Sequence, residues 1–204
     1  MEAWKERFKP LNVGLKFLVQ PAWLENPDTR RHIIRIDPGM AFGTGVHPTT
    51  QLGLELMEKN IRPGWKILDL GAGSGILSFA AEKLGADAVF GIEIDSDAID
   101  NALHNAEINN SSVDLMHGSI DDAKGKRPAN GFDMVIANII ATKLLALIAD
   151  GLCELVSDEG QLLLSGILVD QMHEIESALG KKGYEVKESL QKEDWLALIA
   201  QNRT

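Results

Sequence analysis

Cysteine is almost missing from this 204-residue chain, with Cys153 the only one. A disulfide framework is therefore excluded, and a reducing, cytoplasmic setting is expected. Cys153 itself falls in an apolar helical stretch and reads as a small core residue. Basic residues are also scarce: 20 Lys and Arg stand against 30 Asp and Glu, a formal net charge of −10. That balance argues against direct nucleic-acid binding, because backbone phosphates are held by cationic side chains. It fits solvation of the surface, and it fits steering of a basic partner. The opening MEAWKERFKPLNVG has no apolar core, so no secretory signal is expected. Residues 134–156 are the most apolar region, but Asn138, Lys143, Asp150 and Glu154 interrupt them. They read as a strand and a helix, and no membrane span is expected. His32, His104, His117 and His173 lack metal-ligand spacing, so no metal site is expected either.

What the chain does have is alternation. Hydrophobic residues make up 45% of it and charged residues 25%, the ordinary mix of a globular protein. Its length suits one α/β domain with a small appendage. An amphipathic turn at Trp4 and Phe8 is expected to lead into a strand over 11–19. A polar loop over 21–31 and a short strand over 33–36 follow. Residues 37–50, DPGMAFGTGVHPTT, form a glycine-rich loop, and the apolar spacing of Leu52, Leu56 and Met57 predicts a helix over 49–59. Beyond it, strands are predicted at 66–70, 88–93, 113–117, 132–137 and 160–165. Helices are predicted at 75–84, 96–109, 142–156 and 169–181. Two last runs, 184–190 and 195–201, read as a hairpin. Composition makes 125–131, GKRPANG, a loop. The pattern predicts a Rossmann-like α/β fold, a mostly parallel sheet with helices on both faces and an antiparallel terminal strand.

The most informative stretch is KILDLGAGSGILSFAAEKLGADAVFGIEID, residues 66–95. It reads as strand, glycine turn, helix, strand, acid. Bare glycines let a ligand approach the backbone, and free amides at a helix start bind polar groups. Glu93, about twenty residues beyond Gly71, is placed to bind a ribose diol. A P-loop needs a Lys-Ser/Thr pair after its glycines, and Ile76 and Leu77 stand there instead. A dinucleotide fingerprint needs a third glycine where Ile76 stands, which weakens an NAD reading. The remaining pattern, Asp69, Gly71, Gly73, Gly75, resembles the first motif of Rossmann-like S-adenosylmethionine-dependent methyltransferases. That cofactor needs backbone room, a carboxylate near its ammonium and an acid for its ribose, and Asp69 and Glu93 suit those two jobs. Ile94 follows the ribose acid and can lie against the adenine face. Ser119 falls where an adenine-edge contact is usual, and reads equally as a turn serine. Asn138, in ANII at the end of the fourth predicted strand, can accept a hydrogen bond from an amine in the crevice at the strands' carboxyl ends. His47 reads as a loop brace, with proton relay the alternative.

Together, WKERFKP, DPGMAFGTGVHPTT, ILDLGAGSGILSFAA, GIEIDSDAI, ANII, LSGIL and EDW closely resemble the PrmA family, bacterial methyltransferases of ribosomal protein eleven of the large subunit. The resemblance runs from about Trp4 to the end. It implies methyl transfer from S-adenosylmethionine to lysine and N-terminal amines of that ribosomal protein. It implies cofactor contacts from Thr50, Gly71, Glu93 and Asn138, with Gly73 beside them, Asn138 and Thr50 also serving catalysis, and Phe42, Gly43 and Thr44 helping to close the loop over the cofactor. Members usually carry Thr at the place of Val46 and Asp at the place of Glu93. They also carry a small recognition domain ahead of WKERFKP. The expected organisation is thus a lead-in over 1–36 and a catalytic domain over 37–204, without that recognition domain. Two other readings share the motifs: the same core acting on another protein or a small molecule, and a cofactor-binding module without activity.

Overall fold

A computed structural model describes residues 8–37 and 45–203. The chain alternates strand and helix as the hydrophobic periods require. Two short strands, β1 (Leu11–Val13) and β2 (Phe17–Pro21), and then β3 (His32–Ile36) come first. They form a small sheet in which β1 and β2 are antiparallel and β2 and β3 parallel. The single strand expected over 11–19 is thus two, broken at Gly14, whose φ is +53°. The Glu58 carboxylate accepts from the Leu15 and Lys16 amides and satisfies that turn.

Helix α1 (Pro48–Asn60) leads to the main sheet, built from β4 (Lys66–Leu70), β5 (Ala88–Glu93), β6 (Asp114–His117), β7 (Phe132–Asn138), β8 (Val156–Leu168), β9 (Tyr184–Lys192) and β10 (Trp195–Asn202). Their order across the sheet is β6-β5-β4-β7-β8-β10-β9. The five from β6 to β8 pair in parallel, while β10 runs against both of its neighbours. The expected parallel sheet with antiparallel pairing at one end is present, with the reversed strand one place in from the edge. α2 (Ile76–Lys83), α3 (Ser96–Asn109), α4 (Ile120–Lys126), α5 (Ala141–Ala149) and α6 (Met172–Lys181) fill the connections.

Alternate residues of a strand face opposite sides, and this divides the core in two. Ile67, Met134, Ile136, Leu163 and Ile199 pack with α1, α2 and the small sheet through Leu52, Leu56, Phe79, Phe17 and Ile34. Leu68, Val135, Leu162, Leu164 and Leu198 pack with α5 and α6 through Leu144, Ile148, Ile175 and Leu179. The lead-in strands therefore share a core with the main sheet.

Two further departures from the sequence pattern have local causes. Helix α4 occupies a stretch with no apolar period, since Ala123 is its one buried residue. A reciprocal cap makes it: Asp121 N–H donates to the Ser119 hydroxyl, and Ser119 N–H donates to the Asp122 carboxylate. The helix expected over 142–156 stops at Ala149, where Gly151, at φ +103°, turns the chain into a short 3-10 segment (Leu152–Leu155).

Candidate active site

Parallel strands place their carboxyl ends along one edge of the sheet, and β4, β5, β7 and β8 deliver their last residues there. At the end of β4, Gly71, Gly73 and Gly75 have φ of +81°, +55° and +83°. L side chains are strained in that region, so the turn needs these glycines. The Gly71 and Ala72 amides both donate to the Ile92 carbonyl, at 2.8 and 3.1 Å, which latches the turn to β5. A Cβ on Gly71 would sit 2.9 Å from the Ile139 Cδ1, so the glycine also admits the turn that follows β7.

Glu93 closes β5 and is nearly buried, at 9% exposure. One of its carboxylate oxygens accepts from the Gly73 amide at 2.9 Å. The other accepts from Ile94 and Asp95, at 2.9 and 3.0 Å. A carboxylate has about four acceptor positions, so about one remains for a ligand hydroxyl. Glu93 is thus fixed by the glycine turn that it helps to hold. Asp69 lies beneath the same turn, 1% exposed, and its carboxylate accepts from the Ser78 hydroxyl at 2.6 Å. Burial raises its pKa to about 6; the Ser78 hydrogen bond opposes the shift and the nearby charge of Glu93 adds to it.

Asn138 ends β7 in register with Ser165 of β8. Its Nδ2 donates to the Thr50 Oγ1 at 3.4 Å, and its buried Oδ1 has no partner among the described residues. Thr50 is itself fully buried, in the first turn of α1. The Ser165 hydroxyl donates to the Thr49 carbonyl at 2.9 Å, and its own carbonyl accepts from Ile139 at 3.1 Å. These bonds pin the start of α1 against the ends of β7 and β8. Gly166, at φ +88°, adds a steric requirement: a Cβ there would fall 2.5 Å from the Ile139 carbonyl oxygen.

The remaining expected residues are spread around this centre. Ile94 is 69% exposed on the rim beyond Glu93. The Ser119 hydroxyl is engaged in the cap of α4. Phe42, Gly43 and Thr44 lie outside the described residues, as does Trp4. His47 caps α1, its Nδ1 accepting from the Thr49 amide at 3.3 Å, and its ring meets Trp195 edge-on at 4.9 Å. The Asp95 side chain caps α3 by accepting from the Asp97 and Ala98 amides. Ser165, Gly166 and Asn105 were not singled out by the sequence. The first two lie within LSGIL, and Asn105 sits in a run of asparagines at helical spacing, Asn101, Asn105 and Asn109. No group of three or more metal-ligating side chains occurs among the described residues.

A glycine turn, a buried acid at the tip of the next strand and an orphaned amide oxygen at β7 together suit a nucleoside-bearing ligand beside an amine. A family model described as ribosomal protein L11 methyltransferase (PrmA) matches residues 1–203. The chain is 39% identical over 199 residues to the ribosomal protein L11 methyltransferase of Exiguobacterium sp., covering 97% of this chain and 63% of that one. It is 41% identical over 201 residues to the one from Desulfitobacterium hafniense, covering 97% and 62%. The chain thus spans somewhat under two thirds of the length of these curated relatives. Among solved structures, the ribosomal protein L11 methylase from Lactobacillus delbrueckii subsp. bulgaricus superposes with a TM-score of 0.86 at 31% identity, covering 96% of this chain and all of that one.

Proposed function

This chain belongs to the ribosomal protein L11 methyltransferase (PrmA) family, and we propose that it transfers methyl groups from S-adenosylmethionine to lysine and N-terminal amines of ribosomal protein L11. The observation that carries this reading is the buried, unpartnered Oδ1 of Asn138. A buried acceptor left without a donor is costly, so it is expected to meet one in the working complex. A neutral amine supplies such a donor, and the bond directs the nitrogen lone pair into the crevice beside the glycine turn.

The residues at the carboxyl edge fit the cofactor. Gly71 and Gly73 leave the backbone bare, Glu93 has an acceptor position for a ribose hydroxyl, and Asp69 supplies negative charge beneath the turn. Ile94 offers an apolar face for the adenine, with Ser119 beyond it on β6's side. Phe42, Gly43 and Thr44 belong to the segment that would cover this ligand. When bound, the cofactor supplies an electrophilic methyl group.

The chain's own contribution is placement, an effect worth up to about 7–11 kcal/mol in well-oriented systems. Thr50 holds the Asn138 carboxamide so that its Oδ1 points away from the Nδ2 bond. Ile139 and the half-exposed Ile140 make the surroundings apolar, which lowers the pKa of a lysine amine and favours its neutral form. Asn138 is not a base, so the ammonium loses its proton to solvent on entry. His47 is committed to the α1 cap and braces the loop.

We assign the catalytic unit to residues 37–204, with 1–36 as its lead-in. No helix among the described residues is long and apolar enough to cross a membrane. The net charge of −10 favours a basic protein substrate over direct nucleic-acid contact, and a ribosomal-protein substrate places the proposed enzyme in the cytoplasm. Single-turnover labelling with methyl-tritiated S-adenosylmethionine tests the reading. L11 is expected to take label on amines, while other ribosomal proteins and free lysine stay unlabelled. Label on another acceptor alone would make this a methyltransferase of different substrate, and cofactor binding without label would make it a binding module.

A further inference from the structure

Helix α3 carries Asn101, Asn105 and Asn109 at successive i, i+4 positions, which lie along one face. Asn109 grips the Arg35 backbone from both sides: its Oδ1 accepts from the Arg35 amide at 2.9 Å and its Nδ2 donates to the Arg35 carbonyl at 2.7 Å. Asn105, one turn earlier and fully buried, repeats the pattern at the next reachable residue of the strand's exit. Its Oδ1 accepts from the Asp37 amide at 2.8 Å. Its Nδ2, however, faces the Ser74 carbonyl at 3.1 Å, with Asp37 and Asn101 oxygens at 3.5 and 3.3 Å.

Ser74 lies between Gly73 and Gly75, inside the turn. Holding its carbonyl restrains the plane of the Ser74–Gly75 peptide and, through it, the φ of Gly75, which is +83°. One buried carboxamide thereby joins Asp37 to the glycine turn at the Ser74 carbonyl, while Glu93 holds the same turn at the Gly73 amide. Asn109 does nothing comparable, since its bonds go to Arg35 and to the Asn105 carbonyl.

We infer that Asn105 is a positioning residue for cofactor binding, setting the glycine turn through the Ser74 carbonyl. The inference rests on the reading of this turn as the S-adenosylmethionine site. It acts on affinity, because Asn105 lies behind the turn and not among groups that meet the amine.

The test is calorimetric titration of the full chain with S-adenosylmethionine, for wild type, Asn105→Ala, Asn105→Asp and Asn109→Ala, each with its thermal midpoint. Asn105→Asp keeps the acceptor for the Asp37 amide and the shape of the side chain, while the donor that faces the Ser74, Asp37 and Asn101 oxygens becomes an acceptor. Both Asn105 variants are expected to raise Kd at least tenfold, with the transfer rate at saturating cofactor within about threefold of wild type. Asn109→Ala is expected to lower the midpoint by a similar amount while leaving Kd within about twofold. Wild-type affinity in Asn105→Asp would overturn the inference alone, as would an equal loss of affinity in Asn109→Ala. Failure of the wild type itself to bind would overturn the cofactor reading together with it.

Discussion

Asn138 and Thr50 are 88 residues apart in sequence and 3.4 Å apart in space, Nδ2 to Oγ1. The bond uses one of the amide's two donors, and the Oδ1 has no partner among the described residues. Asn138→Ala removes that acceptor without touching the glycine turn. S-adenosylmethionine affinity should stay within about threefold, while single-turnover transfer to L11 falls by about 10² or more, the scale seen when one preorganised polar group is lost from an active site. Equal rates would take Asn138 out of the mechanism.

Glu93 ties its own turn together, so its loss has two effects. Glu93→Ala abolishes the ribose acceptor and frees the Gly73, Ile94 and Asp95 amides. Hydrogen bonds to a charged group contribute about 1.5–3 kcal/mol each, so even one lost to the ligand means about tenfold or more in Kd. Calorimetry should show that weakening, and an unchanged affinity would contradict the ribose assignment.

Asp69 gives a pH signature with a definite sign. Its pKa rises from 3.8 to about 6 on folding, so the native state holds the proton more tightly than the unfolded chain. Its contribution to stability is therefore present below about pH 4 and is lost as pH rises through about 6. A shift of that size corresponds to on the order of 3 kcal/mol. Asp69→Asn retains an acceptor for Ser78 and removes the titration. Other carboxylates, Glu82 and Glu188 among them, are shifted downward and oppose this trend, so the difference between variant and wild type is the quantity to follow. Thermal midpoints should move in favour of the variant between about pH 4 and about pH 7. A pH-independent difference would contradict it.

Gly166 and Gly64 share the same backbone strain but not the same surroundings. Their φ values are +88° and +87°, yet a Cβ on Gly64 would meet nothing within 4 Å while one on Gly166 would meet the Ile139 backbone at 2.5 Å. Gly64→Ala should cost about 1 kcal/mol from strain alone. Gly166→Ala should cost at least about 1–3 kcal/mol more, because backbone must shift. It should also slow transfer, since Ile139 adjoins Asn138. Similar midpoints for the two variants would show that the 139 turn relaxes freely.

The parallel sheet was legible because its strands are short, largely apolar runs between glycine and acid punctuation, as in LDLGAG and VFGIEID. The lead-in was misread as one strand because the break at Gly14 is stabilised from afar, by the Glu58 carboxylate on α1. Helix α4 was invisible to periodicity because its cap, and not its apolar face, makes it. In the site, Gly71, Glu93 and Asn138 announced themselves by spacing from strand ends. Ser165, Gly166 and Asn105 did not, since their roles are contacts with backbone carbonyls and amides 26 to 116 residues away, which no local pattern encodes.

The central claim is that this glycine turn holds S-adenosylmethionine. Calorimetric titration of the chain with S-adenosylmethionine and, separately, with NAD tests it most directly. The account predicts saturable binding of the first and none of the second. Binding of NAD alone, or of neither ligand, would contradict it.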